Sequence, residues 1–429
     1  MKLLKQFSIY TVAGFFSAGI SFLLMPYLSH HISTGGYGIL AMVNSYVTIL
    51  IPLVGLTAAG LVNVEYYRTK DPRKYASIFS SIQLIPIVPG LFFLMLSVAF
   101  PGALATFLEI PREKSYWIPL SVVIAWLSIY YETLLAFNVI EQKPYKYVQF
   151  SISRVLLEII LTVLFISVFR LGWEGRLLSW FAATIVSFIV SMIYFRKRGL
   201  LTLAIRKEYI LAGVIFGLPL ILHTIGKFVI NQSDRVFIAK MVSIEEAGIY
   251  NVGYQVGMVL LLLVNAAGNF YQPFLYERLA VLTEKGKLEI VRVTYVIIIG
   301  LFTALLLLTF LSPLLFQFLI SESYSNGLVY VFWTGLSYFF WGIYILFTGY
   351  IFYSKKTGIL GYLAILTVVL NLVLNYLLIK EWGAIGAVYA TCISFFVVAA
   401  IIARRGSMLV KLPWFDFKMV FYGLPRREE

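Results

Sequence analysis

The sequence predicts an all-α integral membrane protein with twelve transmembrane helices, arranged as two six-helix lobes related by a parallel pseudo-twofold repeat. Three observations predict it. The chain of 429 residues is 61% hydrophobic and 13% charged, where soluble domains run about 45–50% apolar and about 25% charged. Its apolar residues gather in runs of about 20, the length that crosses a bilayer as a helix. They lack the alternation over about ten positions that a membrane β-barrel requires. Finally, the chain aligns with itself at an offset of 210 residues, without a gap, across two helices.

The elements follow in order. The N-terminus, MKLLKQFSIYTVAGFFSAGISFLLMPYLS, sets Lys2 and Lys5 before its apolar core. That core exceeds the ~7–15 residues of a signal peptide, and further spans follow it, so span 1 (7–29) is read as a retained helix. Spans 2 to 6 fall near 37–63, 76–99, 117–140, 148–169 and 173–195. Spans 7 to 12 fall near 209–232, 246–274, 291–318, 328–353, 358–379 and 383–403. Pro26, Pro52, Pro219 and Pro273 lie in or at the ends of spans, where kinks are expected. The pair Gly213 and Gly217, in GVIFG, allows close helix approach. This gives lobes at 1–200 and 201–405 and a cytoplasmic tail at 406–429. The tail's aromatic and basic residues either lie on the cytoplasmic leaflet or fray.

Charge sets the orientation. Most of the 34 Lys and Arg fall at the N-terminus, in the even-to-odd loops and in the tail, and such residues stay cytoplasmic. Both termini are therefore expected in the cytoplasm, and the net charge of +14 is a topology signal rather than a nucleic-acid footprint. The single cysteine, Cys392, rules out an intrachain disulfide. Three scattered histidines, His30, His31 and His223, make a metal site unexpected. No G-x-x-x-x-G-K-[ST] phosphate loop occurs, so no cofactor is expected, and any driving energy comes from an ion or substrate gradient.

The repeat carries Ser33, Gly38, Ile39, Tyr66 and Arg68 onto Ser243, Gly248, Ile249, Tyr276 and Arg278, with VEYYR meeting FLYER. Spans 6 and 12 open alike, LGWEGRLLSW against EWGAIGAVYA. Each half holds an even number of spans, so the halves share an orientation. Parallel repeats of this kind are a recurring transporter design.

Ionisable groups inside a bilayer cost about 2.5–3.5 kcal/mol on insertion scales and need a partner or a wet cavity. At ~100° per residue, His223, Lys227, Asn231 and Asp234 form one stripe of span 7. Ser151, Arg154, Glu158 and Thr162 form another on span 5. Span 8 adds Asn265, Asn269 and Gln272, and span 11 adds Thr367, Asn371 and Asn375. These faces are expected to line one aqueous cavity between the lobes, with the asparagines contacting sugars or joining helices. Lys227 is the foremost candidate for an anionic cargo, because no acidic residue stands at 223, 224, 230 or 231. Arg154 and Glu158, at i and i+4, either neutralise each other or face the cavity, with Glu132 as a third member. Asp234 and Arg235, near the outer interface, read as a surface or interhelical ion pair, or Arg235 snorkels to headgroups. Glu132, Glu158 and Asp234 are the carboxylates available for ion coupling, and spacing singles out none. The first-lobe counterpart of the span 7 stripe, Ala13, Ser17, Ser21 and Leu24, is neutral, so the charges are expected in the second lobe.

SDRVFIAKMVSIEEAGIYNVGYQ after span 7 and GAIGAVYAT opening span 12, with the two six-span halves, resemble the polysaccharide-transport branch of the multidrug/oligosaccharidyl-lipid/polysaccharide exporter superfamily. This branch includes the O-antigen and capsule repeat-unit flippases. The resemblance covers nearly the whole chain and is most specific at Asp234, Arg235, Gly248 and Tyr250. It implies a cavity opening alternately to each side of a bacterial cytoplasmic (inner) membrane. The implied cargo is a polyprenyl-diphosphate-linked oligosaccharide whose tail stays among membrane lipids, and the implied partners are a polysaccharide polymerase and a chain-length regulator. Lipid II flippases of the superfamily typically carry two further helices, so a peptidoglycan precursor is the less expected cargo. A drug or organic-cation antiporter of the same superfamily is the alternative, though an acidic cavity would be expected of it. A membrane polymerase or glycosyltransferase needs a larger outer loop than PGALATFLEIPREKSY.

Overall fold

The computed structural model describes residues 20–354 and 358–415, and within them the side chains of His223, Lys227 and Asn231 lie outside the description. The described residues are helical, with no strand among them. Among the described residues ten helical segments are long and apolar enough to cross a membrane, which makes this a multi-pass membrane protein. Most of span 1 lies outside the described residues, and the helix of span 7 runs over 35 residues.

In order, α1 is Ile20–His31, α2 Thr34–Gly55, α3 Ala59–Arg68, α4 Pro72–Gln83, α5 Ile87–Ala99, α6 Pro101–Phe107, α7 Trp117–Ile140 and α8 Pro144–Val163. Then come α9 Gly172–Lys197, α10 Lys207–Met241, α11 Ile244–Gly257, α12 Val259–Ala280, α13 Glu284–Leu319, α14 Leu328–Tyr353, α15 Gly358–Trp382 and α16 Ile385–Leu409. Local sequence sets several of the starts. Ser33 and Thr283 accept from the backbone N–H three residues on, and Asp71 accepts from Arg73 just before Pro72 opens α4. Such side-chain oxygens satisfy donors that a helix start leaves unpaired, and proline suits the first turn.

Three spans read as continuous are broken. Span 2 breaks between α2 and α3, span 3 between α4 and α5, and span 8 between α11 and α12. The first break is the sharpest: Leu56 and Thr57 have φ of 47° and 48°. A β-branched residue in that left-handed region is an outlier, held only where its surroundings over-determine it. Here the surroundings are α10, whose Gly217 carbonyl accepts from the Thr57 hydroxyl at 2.6 Å. A Cβ on Gly217 would lie 1.9 Å from the Leu56 carbonyl oxygen. The glycine pair in GVIFG thus seats α10 on the broken span.

The chain forms two compact units, 1–248 and 249–429. The sequence repeat restarts near 201, but α10 packs on α2, α3 and α4, so span 7 joins the first unit. The core of that unit gathers Phe79, Ile82, Tyr131, Leu134, Phe137 and Phe195. The second unit packs α16 against α14 and α15, around Tyr271, Leu275, Leu346, Tyr350 and Ile402.

The 210-residue offset is visible inside the first unit. A Cβ on Gly38 would lie 1.9 Å from the carbonyl oxygen of Ile244, and one on Gly248 would lie 2.1 Å from that of Thr34. Equivalent positions therefore exchange equivalent contacts. The caps match as well, since Ser33 accepts from Gly36 N–H at 3.2 Å and Ser243 from Glu246 N–H at 3.0 Å. Gly172 and Gly383, opening spans 6 and 12, have φ of 56° and 67°, which glycine adopts without a Cβ penalty.

Candidate functional site

The polar groups of the first unit converge where α7, α8 and α9 pack together with α2. Along α8, Ser151, Arg154, Val155 and Glu158 recur at helical spacing and point the same way. They meet Tyr131 and Glu132 of α7, Arg176 and Trp180 of α9, and Asn44 of α2 around a cavity of about 310 Å³.

Two arginines in this cavity are held differently. Arg176 Nη2 lies 2.6 Å from Glu158 Oε1, with both side chains largely buried. A hydroxyl pair, Thr162 and Ser179 at 2.7 Å, continues this contact between α8 and α9. Arg154 instead lies over the Tyr131 ring, 4.5 Å from its centroid, and donates to the Thr184 hydroxyl at 3.4 Å. Among the described residues no carboxylate lies within ion-pair distance of Arg154, although Glu132 and Glu158 line the same cavity. Of the two alternatives for Arg154 and Glu158, the i, i+4 pairing is not made: Arg176, on the facing helix, takes the carboxylate.

Glu132 belongs to two cavities. The second, of about 290 Å³, runs along the broken span and includes Thr57, Asn63, Thr133 and, from α10, Thr224. Glu132 is exposed although it sits deep in an apolar helix, about 12 Å from its C-terminal end at 1.5 Å per residue. It makes no hydrogen bond or ion pair with any described residue.

The remaining candidates distribute as follows. Asp234 and Arg235 are buried, at 1% and 5% exposure, so neither a surface ion pair nor a snorkelling Arg235 describes them. His223, Lys227 and Asn231 lie on α10, and their side chains fall outside the described residues. Asn265 and Asn269 are exposed on α12. Asn371 and Asn375 are fully buried. Asn375 donates to Asn371 and Asn371 to Thr391 of α16, each at 3.1 Å. The structure thus brings Arg154, Glu158 and Glu132 together and leaves Asn371 and Asn375 in a separate network. Sequence reasoning passed over Arg176. Its signal was the polar stripe it begins, Arg176, Ser179, Ser187 and Ser191 at helical spacing.

Comparison with known proteins places this arrangement in a family. A family model for polysaccharide biosynthesis proteins matches residues 3–273, more than half of the chain. An uncharacterized membrane protein of Haemophilus influenzae is 23% identical over 421 residues, covering 96% of each chain. Among solved structures, the lipid II flippase MurJ in an inward closed conformation has a TM-score of 0.75 at 15% identity, covering 92% of this chain and 87% of that one. An inward-facing multidrug resistance MATE family transporter of the MOP superfamily has a TM-score of 0.70 at 11% identity, covering 91% and 94%. At these identities the structural likeness establishes the fold, and the family match goes further: the chain belongs to the polysaccharide biosynthesis protein family.

Proposed function

We propose that this protein is a flippase that moves polyprenyl-diphosphate-linked oligosaccharide repeat units from the cytoplasmic to the outer leaflet by alternating access. The observation that carries the reading is Arg154. A guanidinium inside a membrane-spanning bundle, open to a cavity and without an ion-paired carboxylate among the described residues, is placed to take an anion that enters it. Arginine matches phosphate oxygens with two parallel N–H donors. The Tyr131 ring holds the guanidinium in place, while Asn44 and Ser151 at the cavity wall offer hydrogen bonds to sugar hydroxyls. Lys227 and His223 of α10, with Asn231, Asn265 and Asn269, remain proposed contacts along the cargo's route. The membrane is then the bacterial inner membrane with both termini cytoplasmic. The partners are the polymerase that consumes translocated units and its chain-length regulator.

One observation favours a second reading. Glu132 has no partner among the described residues and opens on a second, mostly apolar cavity, which suits a lipophilic cation in a drug antiporter. Proteoliposomes separate the two. A farnesyl-diphosphate-linked sugar should be translocated by the native protein, and a lipophilic cationic dye should not. Dye export without movement of any diphosphate-linked sugar would contradict the flippase reading and establish the second.

A further inference from the structure

We propose that the second unit carries a sugar-binding face, on which Trp341 and Tyr344 of α14 support the sugar rings and Asn265, Asn269 and Gln272 of α12 bond their hydroxyls. The inference rests on the reading of the cargo as a diphosphate-linked oligosaccharide, and adds the residues that recognise its sugars. The helix α12 has three faces. Val264, Gly268, Tyr271 and Leu275 are buried. Leu263 and Phe270 are exposed and apolar, as suits contact with lipid. Asn265, Asn269 and Gln272 make the third face, turned about 100° or more from Leu263 and Phe270 at ~100° per residue. Asn265 and Asn269 are exposed and Gln272 is half-buried, and none of the three hydrogen-bonds to a described residue. Polar side chains within a membrane span turn to a partner or a water-filled space, so this face borders water rather than lipid.

The aromatic pair of α14 lies on the same side. A Cβ on Gly342 would lie 3.1 Å from the Val264 side chain, one on Gly268 2.6 Å from Ile345, and one on Gly349 2.7 Å from Leu275. These contacts run in the same order along both helices, so α12 and α14 are parallel. Between parallel helices, the residue after a contact on one and the residue before it on the other face the same way. Asn265 and Asn269 follow Val264 and Gly268, while Trp341 and Tyr344 precede Gly342 and Ile345. Amides and rings therefore share one face.

Trp341 and Tyr344 stack with ring centroids 4.6 Å apart and planes at 17°. Phe395 of α16 backs Trp341 at 5.1 Å, which fixes the platform from behind. Both rings are half-buried, and neither the indole N–H nor the Tyr344 phenol bonds to a described residue. A pyranose has the matching chemistry, since its ring C–H groups form an apolar face and its hydroxyls an outer rim. The apolar face lies on the aromatic pair, whose polar tips are left for hydrogen bonds. Each amide both donates and accepts, as each sugar hydroxyl does. None of the five side chains is charged, so the face gives the diphosphate no counter-charge and acts on the sugars alone.

The test is equilibrium binding to the full chain in nanodiscs. The probes are farnesyl diphosphate diesters carrying a disaccharide of glucose, galactose, mannose or N-acetylglucosamine, with a control diester that has a methyl group in place of the sugar. For the native protein, we expect at least one disaccharide probe to bind about tenfold more tightly than the methyl diester, from stacking and net hydrogen bonds. Trp341→Leu, and the double change Asn265→Ala with Asn269→Ala, should each reduce that margin to about twofold or less and leave the Kd of the methyl diester unchanged. Trp341→Phe, which keeps a ring, should retain part of the margin. No margin for any disaccharide in the native protein, or a full margin in the monodisperse asparagine double variant, would overturn the sugar face while leaving the diphosphate site standing. Equal weakening of disaccharide and methyl probes would overturn it too, since the residues would then act on the fold or on the anion site. The asparagines have no partner to lose among the described residues, so their double variant decides the matter if Trp341→Leu does not fold. A monodisperse native protein that binds none of the probes overturns the reading of the cargo itself.

Discussion

The two compact units bury different chemistry. In residues 1–248 the buried polar groups include Glu158, Asp234 and Arg235, and these are all the buried charges among the described residues. In residues 249–429 the buried polar groups among the described residues are neutral, and two sets of them bond to one another. The Tyr271 hydroxyl meets Thr294 at 2.6 Å and Tyr350 at 3.1 Å, and Asn371, Asn375 and Thr391 form a chain. A neutral network needs no counter-ion. A set of charges with an odd member, as at Arg154, needs water or a counter-ion. The same repeated scaffold, with matched caps and matched glycines at its helix starts, therefore carries an interior that joins helices in one unit and an interior suited to a charged ligand in the other.

The contrast can be broken most severely at the buried pair. Glu158→Gln or Arg176→Met alone leaves an uncompensated charge, which costs about 3–5 kcal/mol, whereas removing both partners is nearly neutral. Thermal unfolding in detergent should thus show two strongly destabilised single variants and a double variant close to native. Arg154→Gln should lower the unfolding temperature far less than either single variant, because no carboxylate is ion-paired to it. The same change should weaken binding of a diphosphate-linked sugar by about 10–100-fold, the value of a hydrogen bond to a charged group at about 1.5–3 kcal/mol. Tyr131→Leu removes the ring under the guanidinium and should weaken the same binding by about 0.5–2 kcal/mol, read as a several-fold rise in Kd. The smallest effect belongs to the neutral unit. Asn371→Leu should cost about 0.6 kcal/mol of stability, the average for a hydrogen bond between membrane helices.

How far the sequence reveals this depends on the range of the interaction. The membrane spans are a local property of apolar run length, and α7 was legible to the residue, Trp117–Ile140. The repeat was legible because cap and close-contact positions tolerate few residue types. The Ser33/Ser243 and Gly38/Gly248 pairs mark the positions where the structure makes matched contacts. The breaks were not legible, since Leu56 and Thr57 are apolar or small residues forced into the left-handed region by α10, and nothing in their own types signals it. The charges were expected in the second lobe because span 7 begins the second repeat. Asp234 and Arg235 of span 7 fall in the first unit because α10 packs against α2, α3 and α4, and Glu132, Arg154, Glu158 and Arg176 lie on spans 4 to 6 of that same unit. The polar stripe of α8 was readable from spacing alone, but its partner was not. Helical periodicity shows that Arg154 can reach Glu158, and only the fold shows that Arg176 reaches it first.

The central claim is that the diphosphate headgroup is held in the charged unit. It is tested most directly by photo-crosslinking a farnesyl-diphosphate-linked sugar that carries a diazirine beside the diphosphate, followed by mass spectrometry of the labelled peptides. The account predicts label on the helices that carry Tyr131, Val155 and Trp180, reduced in Arg154→Gln and competed by unlabelled ligand. Competed label confined to residues 249–429, unchanged in Arg154→Gln, would contradict it.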